Sequence, residues 1–95
     1  MNGVCCSFGV ALEMIKAGNL MARAGWNGRG MFIYLVPGST FEVNRLPLLG
    51  IFPAGTHIDY RPHIDMRTAD GQCVPWVASQ SDLLSSDWYV ALPPE

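Results

Sequence analysis

Between residues 57 and 67 polar and apolar side chains alternate without a break. His57, Asp59, Arg61, His63, Asp65 and Arg67 fall on one side, and Ile58, Tyr60, Pro62, Ile64 and Met66 on the other. Successive side chains of an extended chain point to opposite faces, so the pattern predicts one long strand with a polar face and a core face. Pro62 has no amide to donate and places an edge position or a bulge there. A sheet protein is implied before anything else is read.

The segment that follows sets the strand's partner. "ADGQ" reads as a two-residue Asp70-Gly71 hairpin turn, with the chain returning as "CVPWVA". With that turn Ala69 faces Gln72, Arg67 faces Val74 and Asp65 faces Trp76. Paired residues share a face, so Trp76 is expected on the polar side, beside Asp65 and diagonal to His63 and Arg67. Three roles stand open for a tryptophan there: a cation–π contact with an arginine, a subunit interface, or a stacking platform for a planar ligand.

The other elements are shorter. Ser7 can cap a helix running to about Ala17, with Phe8, Leu12 and Ile15 at helical spacing and Gly18 as its stop. Residues 20–23 predict a first strand, and "AGWNGRG" a glycine-rich turn around Trp26 and Asn27. Residues 31–37, "MFIYLVP", predict a central strand buried on both faces. From Gly38 to Gly55, Pro47 and Pro53 interrupt any ladder, which predicts a loop with short extended pieces. Its Leu46, Leu48, Leu49, Ile51 and Phe52 need cover, under the sheet or between subunits. Ser79 or Ser81 caps a short helical turn through Leu84, and "DWYVAL" supplies a last strand containing a core Trp88. The fold class expected is α+β: one N-terminal helix packed on a twisted, mainly antiparallel β-sheet, a single domain over 1–95 with residues 1–6 as a loosely ordered extension.

Bulk properties narrow the function. Only 15% of the 95 residues are charged while 49% are hydrophobic, which favours a homo-oligomer. A net charge of −2 argues against nucleic acid as the main partner. No apolar run approaches a membrane span, and the N-terminus lacks the basic start and apolar core of a signal peptide. Cys5, Cys6 and Cys73 form no disulfide framework and no zinc spacing, so a reducing compartment and a packing role are expected.

Catalytic and metal chemistry find little support. His57 and His63 stand roughly 20 Å apart on an extended strand, too far to share an ion. No nucleophile elbow or cysteine-protease signature accompanies the serines and cysteines. "GWNGRG" is neither G-x-G-x-x-G nor a Walker loop. No cofactor and no metal are expected, and a non-catalytic chain is favoured. A binding pocket suits the inventory better: Trp26 and Trp76 offer flat apolar faces, and Arg61 or Arg67 bidentate donors. Asn27, Asp65, Ser79 and Gln80 can read ribose hydroxyls or a base edge. A purely structural role for each remains equally open at this point.

Three blocks, "ARAGWNGRGMFIYLVPGSTF", "YRPHIDMRTADG" and "VPWVASQSDLLSSDW", give the chain a resemblance to a known family. It resembles the second family of Thoeris anti-defence proteins, small phage and prophage proteins formerly catalogued as a domain of unknown function. The resemblance covers nearly all of residues 8–90. It implies a cytoplasmic sponge in the infected bacterium that sequesters nucleotide signals made from NAD by TIR-domain enzymes, notably glycocyclic ADP-ribose. It also implies cyclic dinucleotides as ligands of some members, a helix-plus-sheet fold, and a homotetramer with pockets between subunits. By motif the implied ligand positions are Trp26 and Asn27 of "GWNG", Arg61 and Asp65 of "YRPHID", and Trp76 of "VPW". Ser79, Gln80 and Asp82 of "ASQSD" follow. "MNGVCCS" has no counterpart in the family, and "AGNLMAR" stands where relatives carry a lysine-bearing helix exit. Two other functions fit the residues: a nucleotide-signal hydrolase, and an inhibitor whose 46–52 loop docks on a host protein.

Overall fold

The computed structural model describes residues 4–94. Its first element, α1 (Phe8–Lys16), starts where the sequence places it: extended Ser7 accepts a hydrogen bond from the Val10 amide at 3.3 Å. It stops at Gly18, whose φ of +100° only glycine adopts without strain. The helix buries Ala11 and Ile15 against the sheet.

Strands β1 (Met21–Arg23), β2 (Phe32–Val36), β5 (His63–Arg67), β6 (Cys73–Pro75) and β7 (Trp88–Val90) form one antiparallel sheet in the order β6-β5-β2-β1-β7. The "MFIYLVP" strand, β2, is its centre, as expected. Only Phe32 and Ile33 are buried in it, one on each face, while Tyr34, Leu35 and Val36 remain half-buried, so burial on both faces is confined to its first two residues. Strands β3 (Ser39–Glu42) and β4 (His57–Tyr60) make a separate two-stranded ribbon, with a 3-10 turn at Leu48–Gly50 between them. A short α2 (Gln80–Leu84) precedes β7. The fold is α+β, and the molecule is elongated, 50 × 27 × 26 Å.

The long alternating strand is corrected to two. Residues 57–60 belong to the ribbon and residues 63–67 to the main sheet, with the chain leaving one for the other at Arg61-Pro62. Pro62 cannot donate to a ladder, and Gly38 crosses so closely that a Cβ there would lie 2.6 Å from the Tyr60 carbonyl oxygen. Alternation survives such a break, since both pieces keep a period of two.

The hairpin register is corrected by one residue. The turn holds three residues, closed by Thr68 N–H to the Gln72 carbonyl at 2.7 Å, with Gly71 at φ +88°. Three-residue hairpins end on such a left-handed residue. The pairs are therefore Arg67 with Cys73, Met66 with Val74 and Asp65 with Pro75, and the Trp76 amide donates to Ile64 at 3.1 Å. A one-residue slip moves every side chain across the sheet. Trp76 accordingly lies on the helix side, against Phe8 and Trp88, and not beside Asp65.

The cover expected for the 38–55 apolar residues under the sheet does not exist within the chain: Leu46 is 73% and Ile51 68% exposed, with Leu49 and Phe52 also open. The ribbon carries them away from the sheet, leaving Val43 as the one residue of that segment that is buried. At the other end, the N-terminal extension lies partly outside the described residues, 1–3. Within the described part, Cys6 exchanges backbone hydrogen bonds of 2.8 and 3.1 Å with Trp88.

Candidate functional site

Trp88 is the hub. Its indole is fully buried, and its N–H donates to the Asp82 carbonyl at 3.0 Å, so the buried donor is satisfied. Three rings surround it: Trp26 at 5.3 Å and 81°, Trp76 at 6.1 Å and 85°, and Phe8 at 5.4 Å. Both tryptophans meet it edge-on, the arrangement that their quadrupoles favour. Trp26 and Trp76 are only half-buried, so each retains open surface.

A charged latch fixes Trp26. Arg23, at the end of β1, donates through Nη1 to Asp82 at 2.8 Å and through Nε to Asp87 at 2.9 Å. Asp82 Oδ1 also accepts from the Trp26 indole N–H at 3.1 Å. Asp87 Oδ2 accepts from the Gly25 amide at 2.8 Å, pinning the turn that carries Trp26. Asp82 and Ser79 form a capping box at the start of α2, each side chain bonded to the other's amide at 3.0 Å. Burial alone would raise the Asp82 carboxyl. The bonds from the Ser79 amide, Arg23 and Trp26 outweigh it and hold the group below the ordinary aspartate value. Hydrogen bonding from Arg23 depresses Asp87 in the same direction.

The structure thus gathers Trp26, Trp76, Ser79 and Asp82 around one buried indole. Asn27 and Gln80 stand exposed on the adjoining turn and the first position of α2. Asp82, expected as a ligand reader, has both carboxylate oxygens engaged inside the chain. Arg61 is exposed in the break between β4 and β5, and its guanidinium has no hydrogen-bond or ion-pair partner among the described residues. Asp65 is not brought to the tryptophans. It lies on the sheet face away from the helix, paired with Tyr34, and its Oδ1 is buried without a hydrogen bond, 3.4 Å from His63 Nε2. On that face the Tyr34 hydroxyl is pushed up to about 12 by its hydrogen bond with Cys73, by burial and by the Asp65 charge. It therefore stays protonated at neutral pH.

Sequence reasoning missed Arg23 and Asp87. Their partners lie 64 residues apart, and no local pattern reports such a pairing. One signal was readable: Ser79-x-x-Asp82 is a capping-box spacing, which marks Asp82 as structural. Among the described residues no group of three His, Cys, Asp or Glu is arranged to hold a metal ion. Among the described residues no helix is long and apolar enough to cross a membrane.

A family model for the Thoeris anti-defense 2-like domain matches residues 6–91. This chain belongs to that family. A Thoeris anti-defense 2 protein of Bacillus phage SP01 is 38% identical over 85 residues, covering 86% of this chain and 90% of that protein. The limits of the Thoeris anti-defense 2-like match coincide with two backbone anchors. Cys6 bonds Trp88 at one end, and the Ala91 amide bonds the Leu20 carbonyl at 2.8 Å at the other. The tryptophan hub and its latch lie wholly inside the Thoeris anti-defense 2-like segment.

Proposed function

We propose that the protein disarms Thoeris defence by sequestering a cyclic ADP-ribose-type signal, glycocyclic ADP-ribose, without altering it. The observation that carries this reading is a latched aromatic nest in a Thoeris anti-defense 2-like chain: Trp26 and Trp76 present half-open rings from fixed positions. A stacked base contributes roughly 1–3 kcal/mol and a charge-assisted phosphate bond roughly 1.5–3 kcal/mol. Preorganisation lowers the ordering cost that would otherwise offset these gains.

In this reading Trp26 and Trp76 stack on the adenine, and the unpartnered Arg61 takes the pyrophosphate. Asn27, Ser79 and Gln80 read ribose hydroxyls, while Asp82 positions Trp26 and leaves the ligand to its neighbours. Asp65 faces away from the nest in its own chain, so it joins a pocket only when a second copy presents it. That arrangement agrees with a homotetramer whose pockets lie between subunits, acting in the cytoplasm of the infected cell. The uncovered apolar residues of the ribbon segment supply surface for such an assembly.

The test is recovery. Purified protein is mixed with the TIR product, freed of unbound ligand and heat-denatured. Intact signal that reactivates the Thoeris effector supports sequestration; cleaved product identifies a hydrolase. A stable complex with a host protein and no calorimetric response to small molecules identifies a protein-directed inhibitor. A calorimetric panel of cyclic ADP-ribose isomers and cyclic dinucleotides ranks the ligands.

A further inference from the structure

The ribbon encloses a cleft of about 530 Å³ remote from the tryptophan nest, within the size range of recognition pockets. Phe41 and Tyr60 form one wall, their rings 5.5 Å apart and tilted by 38°, both open to solvent. Leu46 and Pro47 form an apolar floor, and Asn44 and Arg45 add donors. Neither the Asn44 amide nor the Arg45 guanidinium has a partner among the described residues.

At the other end of the chain the Ala91–Leu20 hydrogen bond is the last backbone anchor. Beyond it Leu92 is 82% exposed, and Pro93 and Pro94 are exposed in no regular element. Two consecutive prolines fix φ and hold the preceding residues extended, which yields a preorganised polyproline II segment with unpaired carbonyls. Such segments seat on aromatic-lined grooves that also offer donors.

We infer that residues 92–95 of one copy dock in the ribbon cleft of a second copy, with the prolines on Phe41 and Tyr60 and Glu95 facing Arg45. The inference rests on the self-association proposed above and is independent of the ligand. Reach decides between the two copies. Met21 pairs with both Ile33 and Val90, so Val90 is level with Ile33, and β7 runs in the same direction as β2. From Val90 to Pro94 a polyproline II segment spans roughly 12 Å at about 3.1 Å per residue. From Ile33 to Phe41 the extended chain covers roughly 26 Å, and two strand spacings separate β7 from β2. Pro93 and Pro94 therefore fall short of the Phe41 and Tyr60 of their own chain. Glu42 also lines the cleft, 3.7 Å from His57, and Arg45 is the cation there for Glu95.

Light scattering over a dilution series of the full chain tests it, with circular dichroism melts confirming the fold of each variant. Pro93→Gly with Pro94→Gly, and separately Arg45→Glu, should each raise the self-dissociation constant at least tenfold without shifting the melt. Combining Arg45→Glu with Glu95→Arg should restore most of the loss. A labelled peptide of residues 90–95 should bind the wild-type protein and lose that binding in Tyr60→Ala. Self-association that ignores all these changes, or a charge swap that restores nothing, overturns the docking while leaving assembly in place. A chain that is monomeric at every concentration overturns the self-association itself.

Discussion

The helix-covered body and the β3–β4 ribbon are built by opposite rules. In the body each polar group that enters the interior around Trp88 meets a partner: the indole has the Asp82 carbonyl, and Arg23 has two carboxylates. In the ribbon segment the apolar groups are the ones without partners, with Leu46, Leu49, Ile51 and Phe52 all open. Around Trp88 the chain satisfies its own buried polar groups. The ribbon departs from that rule over a continuous stretch, which is how a chain looks where its stability is completed by something outside it.

That contrast can be broken most severely at Asp82. Its removal leaves Arg23 with Asp87 alone, and breaking a buried ion pair costs up to roughly 3–5 kcal/mol. Asp82→Ala also deletes a helix cap and frees the Trp26 indole, so urea denaturation should show a loss of about that size. Ligand binding comes next. Arg61→Ala should weaken binding by roughly 1.5–3 kcal/mol in calorimetry while leaving the melt unchanged, because the side chain has no partner among the described residues. Trp76→Ala should lower both affinity and stability, since its ring also packs on Phe8 and Trp88. Normal binding by both variants would move the pocket elsewhere.

Acid should act on the body before the ribbon. Asp82 and Asp87 are depressed in the folded state, so their stabilisation is fully present above the ordinary aspartate value, near pH 4. It declines as pH falls through their folded values. Thermal melts between pH 5 and pH 2 should therefore lose cooperativity from the Arg23 latch, and Asp87→Asn should flatten that profile. The smallest effect is expected from Ile51→Ser and Leu49→Ser: melts of the dilute chain should stay within about 0.5 kcal/mol of wild type. Self-association should nevertheless weaken, which separates the ribbon's role from the body's.

Elements governed by neighbouring residues were legible in the sequence. Ser7, the apolar spacing and Gly18 delimit α1, and β-branched and aromatic residues mark β2. What failed was whatever depended on one turn or on distant partners. A period of two says that residues 57–67 are extended, but not that they serve two sheets. "ADGQ" announces a hairpin, yet the left-handed Gly71 closes a three-residue loop and carries Trp76 to the opposite face. The candidate site was readable as a set of residue types, and Trp26 with Trp76 do converge. Their meeting point was not, because the Arg23 latch spans the chain and Trp88 reads simply as core.

The crowding of all three of the protein's tryptophans at one point also makes the molecule its own optical instrument. Neighbouring indoles 5.3 and 6.1 Å from Trp88 are close enough for excitation energy to pass between them. A planar ring settling on Trp26 or Trp76 would quench the whole set. Occupancy could then be followed in real time, without a label, from the intrinsic emission of the unmodified chain.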